Sequence, residues 1–260
     1  MTPHDRRAAV LTLTAAAMTA AVPAARATAA TRPRPTPSPR VPSLTPVPSP
    51  SPVPSSAPSA APSPARPPAR PRTPARALDE LRAGNARFAS LRSLRPREDA
   101  VHRARLAVSQ HPFAVVLGCV DSRVPPELVF DQGLGDLLTV RSAGQALDEA
   151  VLGSLQFGVS ELGVRLVVVL GHERCGAIAA AVEHVRTGAP APGHLQRVVE
   201  QLAPSVRAAR PLPGDWTENS VRLHIGRTRR LLAADPAFRG AVVLGARYGL
   251  GSGKVAFHSS

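Results

Sequence analysis

The stretch "VVLGCVDSRVPPE", residues 115–127, decides how the rest of the chain reads. It completes an apolar run, residues 112–118, that is too short for a helix and suits a strand buried on both faces of a parallel sheet. The run ends on Cys119, one of only two cysteines in 260 residues, and Asp121 and Arg123 follow directly. A second run of the same kind, "RLVVVLG" at 165–171, leads to His172, with the other cysteine, Cys175, three residues further on.

Working outward, "LLTVRSAG" at 137–144 reads as another strand. "GAVVLGARYGLGSGKVAFH" reads as a fourth strand, a glycine-rich turn and a short terminal strand. Helical periodicity appears from Ala75 ("ARALDELRAGNARFASL"), over 148–163 with Val151, Leu155, Val159 and Leu162 on one stripe, over 175–188, and in "GDWTENSVRLHIGRTRRLLAADP". Strands alternating with helices predict an α/β domain around a mainly parallel sheet. No internal repeat is present, and no G-x-G-x-x-G follows a strand, so a dinucleotide fingerprint is absent.

Both cysteines fall at carboxyl ends of predicted parallel strands, where open α/β sheets form their ligand crevices. At a helix start, positions i and i+3 face the same way, so His172 and Cys175 can hold one ion together. Two thiolates and an imidazole suit zinc, and three protein ligands leave the fourth position open, as catalytic sites do. A disulfide is the alternative for an even cysteine count in an exported chain. A small buried apolar role is the alternative for each cysteine alone. For Asp121 and Arg123 the alternatives are a functional ion pair and a local salt bridge. The remaining histidines of the folded part, at 102, 111, 184, 194, 224 and 258, lack ligand spacing.

"CVDSRVPPELVFDQGLGDLLTVRSAG" and "VVVLGHERCGAIAAAVE" resemble the C-x-D-S-R and H-x-x-C signatures of the β-class carbonic anhydrases, and the likeness runs from about Leu78 to "YGLGSGKVAF". It implies one zinc ion on Cys119, His172 and Cys175, an Asp121–Arg123 catalytic dyad, and reversible hydration of CO2 to bicarbonate and a proton by zinc-bound hydroxide. It also implies substrate contacts from Gln110, Leu138, Phe157 and Gly176, and a homodimer or larger assembly with the active site at the subunit interface. In that assembly the helix near Ala77 would pack on the partner, and Gln110 would reach the partner's site. Departures include Phe157 where Tyr is frequent, Leu138 for Phe, "AGQ" for the usual "AGN", and Gly249 for Asp. Alternatives within this reading are a non-catalytic exported zinc-binding surface protein and a CS2 or COS hydrolase.

Ahead of this domain, residues 1–30 have the layout of an export signal: Arg6-Arg7, an apolar stretch, then Ala25-Arg26-Ala27. The arginine pair permits a twin-arginine route. Residues 31–75 hold 17 of the 29 prolines and read as a disordered, extended spacer. The domains are thus expected at 1–30, 31–75 and 76–260, with an exported, secreted or cell-wall-associated product, or a cytoplasmic one if the start is misassigned. Residues 1–76 carry ten Arg against one Asp, so +9 of the chain's +14 lies in the tail. Aromatics are 3 % of the chain, which with that charge placement argues against nucleic-acid binding. No stretch is long enough to span a bilayer in the mature chain.

Overall fold

The computed structural model describes residues 70–258; the proposed signal and nearly all of the spacer lie outside the described residues. The elements are α1 (Pro74–Ala89), α2 (Ala100–Leu106), β1 (Ala114–Cys119), α3 (Pro126–Val129), β2 (Leu137–Ser142), α4 (Glu149–Ser160), β3 (Leu166–His172), α5 (Gly176–Thr187), α6 (Leu195–Ala209), α7 (Trp216–Ala234), β4 (Val242–Tyr248) and β5 (Val255–His258). The strands form one sheet in the order β2-β1-β3-β4-β5, parallel except for the antiparallel β5. This is the mainly parallel α/β architecture that the alternating pattern predicts.

The unbroken apolar runs follow from burial on both sides. Val115, Leu117, Val167, Val169 and Val243 face a core closed by α4, α5, α6 and α7. Ala114, Val116, Val168, Leu170 and Leu244 face the opposite core, closed by α1 and α3. Helix ends obey local chemistry: Thr73 caps α1, Asp148 caps α4 and Asp215 caps α7, while α5 ends on Gly188 at φ 71°.

Two differences from the sequence reading stand out. Helix α6 was not expected, although Val199, Leu202 and Val206 bury one face of it; Pro204 sits in its interior and disguises the pattern. Helix α1 buries Ala77 and Leu81 against its own sheet, so any contact with a partner must use its other face.

The reason for "GN" in α1 is also local. Gly84 lies against the backbone of Phe130, where a Cβ would fall 1.8 Å from the carbonyl oxygen. Asn85 donates from Nδ2 to the carbonyls of Val129 (3.0 Å) and Gly253 (2.9 Å), and its Oδ1 accepts from the Val255 N–H (2.8 Å). One buried amide thereby ties α1 to α3 and to the β4–β5 turn. Asn85→Ala would leave three backbone groups unpaired, and we expect a loss of about 3 kcal/mol in denaturant unfolding; a loss within 0.5 kcal/mol, roughly that of an ordinary surface change, would refute this role.

Candidate metal centre

Strands β1 and β3 are neighbours in the middle of the sheet, paired Leu117 with Val169. That register sets Cys119 beside the last residues of β3, and His172 closes that strand. Cys175 is the N-cap of α5. His172 and Cys175 therefore do not share a helix turn, contrary to the i, i+3 argument. A tight turn brings them together, with Arg174 at φ 49°, a left-handed conformation uncommon for arginine.

The Sγ atoms of Cys119 and Cys175 and a ring nitrogen of His172 lie within 4.8 Å of one another. All three residues are buried. Among the described residues this is the one cluster of three or more such groups with metal-holding geometry, and none of the other histidines joins it. The sulfurs are 4.0 Å apart, about twice a disulfide bond length, and both thiols are free.

The donor chemistry fits a borderline-soft cation. Contact with Cys175 holds the Cys119 thiol far below its ordinary range, while the same contact and burial push Cys175 up. The two thiols therefore titrate as a pair, with the easier ionisation at Cys119, and the thiolate is the ligating form. The Gly144 N–H donates to Cys119 Sγ (3.3 Å), and the amides of Ala177 and Ile178 at the start of α5 favour charge on Cys175. The Glu173 carbonyl accepts from His172 Nδ1 (2.9 Å), leaving the lone pair on Nε2, which is buried without a hydrogen-bond partner. A metal ion is what such an orphaned nitrogen between two sulfurs accommodates.

Asp121 stands at the edge of this cluster, its Oδ2 3.9 Å from His172 Nε2. Arg123 grips it in a fork, Nε to Oδ1 at 2.9 Å and Nη2 to Oδ2 at 2.7 Å, and adds its backbone N–H to Oδ1 at 3.0 Å. That fork holds the carboxyl well below the usual carboxylate range.

The other expected contacts separate by position. Gly176 adjoins Cys175 at the exposed start of α5, with open space where a side chain would be. Gln110 is exposed before β1, at the opposite end of that strand from Cys119, and the six strand residues alone span about 17 Å. Leu138 pairs with Val115, four residues below the level of Cys119, or about 13 Å along the strand. With the exposed Phe157 it lines a shallow groove between β2 and α4. Within one chain, Gln110, Leu138 and Phe157 do not reach the metal centre.

Sequence reasoning missed Arg141. Its Nε donates to the Cys119 carbonyl and its Nη2 to that of Asp121, both at 2.7 Å, so it pins the loop that carries ligand and dyad. Its place in "TVRSAG", at the end of a strand parallel to β1, was the available signal. "AGQ" forms a single turn in which Gly144 (φ 64°) and Gln145 (φ 58°) are both left-handed. Gln145 is buried and its Nε2 has no hydrogen-bond partner.

The carbonic anhydrase family profile matches residues 114–255. Over 161 residues the chain is 44 % identical to carbonic anhydrase 2 of Mycobacterium tuberculosis, covering 62 % of this chain and 78 % of that one. Over 193 residues it is 37 % identical to a carbonic anhydrase of Mycolicibacterium smegmatis, covering 72 % and 94 %. The solved structure of a Coccomyxa β-carbonic anhydrase in complex with acetazolamide superposes with a TM-score of 0.55 at 26 % identity, covering 69 % of this chain and 85 % of that one. Strand order, buried cysteine–histidine cluster and relatives agree: the chain belongs to the β-class carbonic anhydrases.

Proposed function

We propose that the chain hydrates CO2 reversibly to bicarbonate and a proton, using one zinc ion held by Cys119, His172 and Cys175. The observation that carries this reading is the buried trio of donor atoms with an ionised, arginine-clamped carboxylate beside it. When bound, zinc supplies a Lewis-acidic position and a nucleophile from water near neutral pH.

The residues of the chain divide the remaining tasks. Arg123 occupies both Asp121 oxygens in the plane of its guanidinium, which leaves the carboxylate ionised and fixed in direction. Asp121 can then only accept, and a water hydrogen-bonded to it has its lone pairs turned toward substrate. Arg141 keeps Cys119 and Asp121 in one relative geometry by holding their carbonyls. The Glu173 carbonyl fixes the ring of His172, and Arg247 in turn holds the Glu173 carboxylate (2.9 Å).

Gln110, Leu138 and Phe157 act in this scheme from a second copy. Support comes from the position of Gln110 and Leu138 at the far ends of β1 and β2, and from the exposure of Phe157 on α4 beside the open edge of β2. Light scattering is expected to give a dimer or larger assembly; a fully active monomer would exclude the role of all three.

We further propose export, supported by the arginine pair, apolar stretch and small-residue site of residues 1–30. N-terminal sequencing of secreted material is expected to begin near residue 28, and an intact cytosolic chain would count against it.

Stopped-flow CO2 hydration with parallel zinc analysis tests the chemistry. Cys175→Ser is expected to lose both metal and activity. Asp121→Asn keeps the metal but loses about a hundredfold in rate, the scale of a positioned proton acceptor. Full-rate turnover by Asp121→Asn would remove its assigned role, and stoichiometric zinc without turnover in the wild type would favour a zinc-binding surface protein.

A further inference from the structure

Between α7 and the β4–β5 side of the sheet lies a cavity of about 190 Å³, lined chiefly by Arg222, Arg229, Arg247, His258 and the bare backbones of Gly226 and Gly245. None of the zinc-site cysteines or His172 lines it. Three guanidiniums and an imidazole around one small space need an account, because like charges repel and buried N–H groups need acceptors.

Two carboxylates answer part of that demand. Glu218 Oε1 lies 2.8 Å from Arg222 Nε and 2.6 Å from Arg247 Nε, and Glu173 Oε1 lies 2.9 Å from Arg247 Nη2. Arg247 is thus held between two carboxylates, Glu218 the stronger influence, and its charge is stabilised by both. Arg229 forms no ion pair among the described residues, and its Nε is buried and unpartnered. The cavity is therefore short of acceptors and carries excess positive charge.

Its walls favour a small occupant. A cavity of about 190 Å³ falls below the ~300–1,000 Å³ of pockets that take drug-sized molecules. Gly226 keeps one wall open: a Cβ there would meet only the Arg230 guanidinium at 3.4 Å. Planar guanidiniums match tetrahedral oxyanions through paired N–H donors. His258 offers a ring N–H in either charge state.

We propose that this cavity is a binding site for a small oxyanion of the phosphate class, separate from the metal centre. The occupant supplies the acceptor that Arg229 lacks and offsets the charge that Glu218 and Glu173 leave over.

Calorimetric titration of inorganic phosphate into the full chain at constant ionic strength tests the site. The expected result is saturable binding of one phosphate per chain, weakened about tenfold or more in Arg229→Gln, which removes a charged fork while keeping a polar side chain. Arg247 is left intact because it also holds Glu173. Circular dichroism checks the fold. Should Arg229→Gln not fold, Arg222→Gln decides in the same way, since that side chain is 54 % exposed. Phosphate binding that disappears in Cys175→Ser but persists unchanged in the arginine variants would place the anion at the metal centre and overturn the proposal, as would the absence of saturable binding.

Discussion

The side-by-side pairing of β1 and β3 is the constraint on which the site rests. Because these strands are parallel, their carboxyl ends point the same way. Because they are adjacent, residues just beyond Leu117 and Val169 come out at one level. Antiparallel pairing, or one strand inserted between them, would send Cys119 and His172 apart. The Val- and Leu-rich runs enforce the arrangement, since only a sheet covered on both faces buries every residue of both strands.

Burial then raises the stakes at the strand ends. An imidazole nitrogen without a partner, removed from solvent beside two titratable thiols, is unfavourable in isolation. The local structure offsets part of this with the Gly144 N–H at Cys119 and the free amides at the start of α5. The remainder is a standing preference for a cation between the three donors, so metal binding and the stability of this corner are linked. The dyad differs in kind: Asp121 keeps its charge chiefly through a partly exposed arginine, with His172 a lesser contributor.

The legible and illegible parts of the chain divide along local and non-local information. Strand cores, helix stripes and the Gly188 stop follow from short-range pattern and were readable in advance. So were Cys119, His172 and Cys175, because each stands at the end of a recognisable strand or helix start. Glu173 was not readable, and Arg141 only by its place at a strand end: their roles depend on carbonyls and arginines brought up from 20 or more residues away. Helix α6 was hidden by a proline that its buried face tolerates. The positions of Gln110, Leu138 and Phe157 needed the register of β1 with β2, which one sequence does not specify.

One buried histidine shows how the ligand loop is backed from inside. His224 on α7 lies beneath Gly144 and Gln145, with Nδ1 3.0 Å from the Ser205 hydroxyl and Nε2 3.3 Å from that of Thr228. Burial pushes its pKa down to about 4, so the ring is neutral at any pH where a zinc-supplied nucleophile would form. It therefore adds no positive charge behind the cysteine–histidine cluster. A charged side chain in the same place would be buried beside Ser205 and Thr228, with no carboxylate paired to it among the described residues. The neutral ring, held at both nitrogens, serves as a strut under the turn that delivers the Gly144 N–H to Cys119. In this reading the catalytic geometry is set from two sides of the sheet's carboxyl edge: by Arg141 from β2 and by α7 from behind.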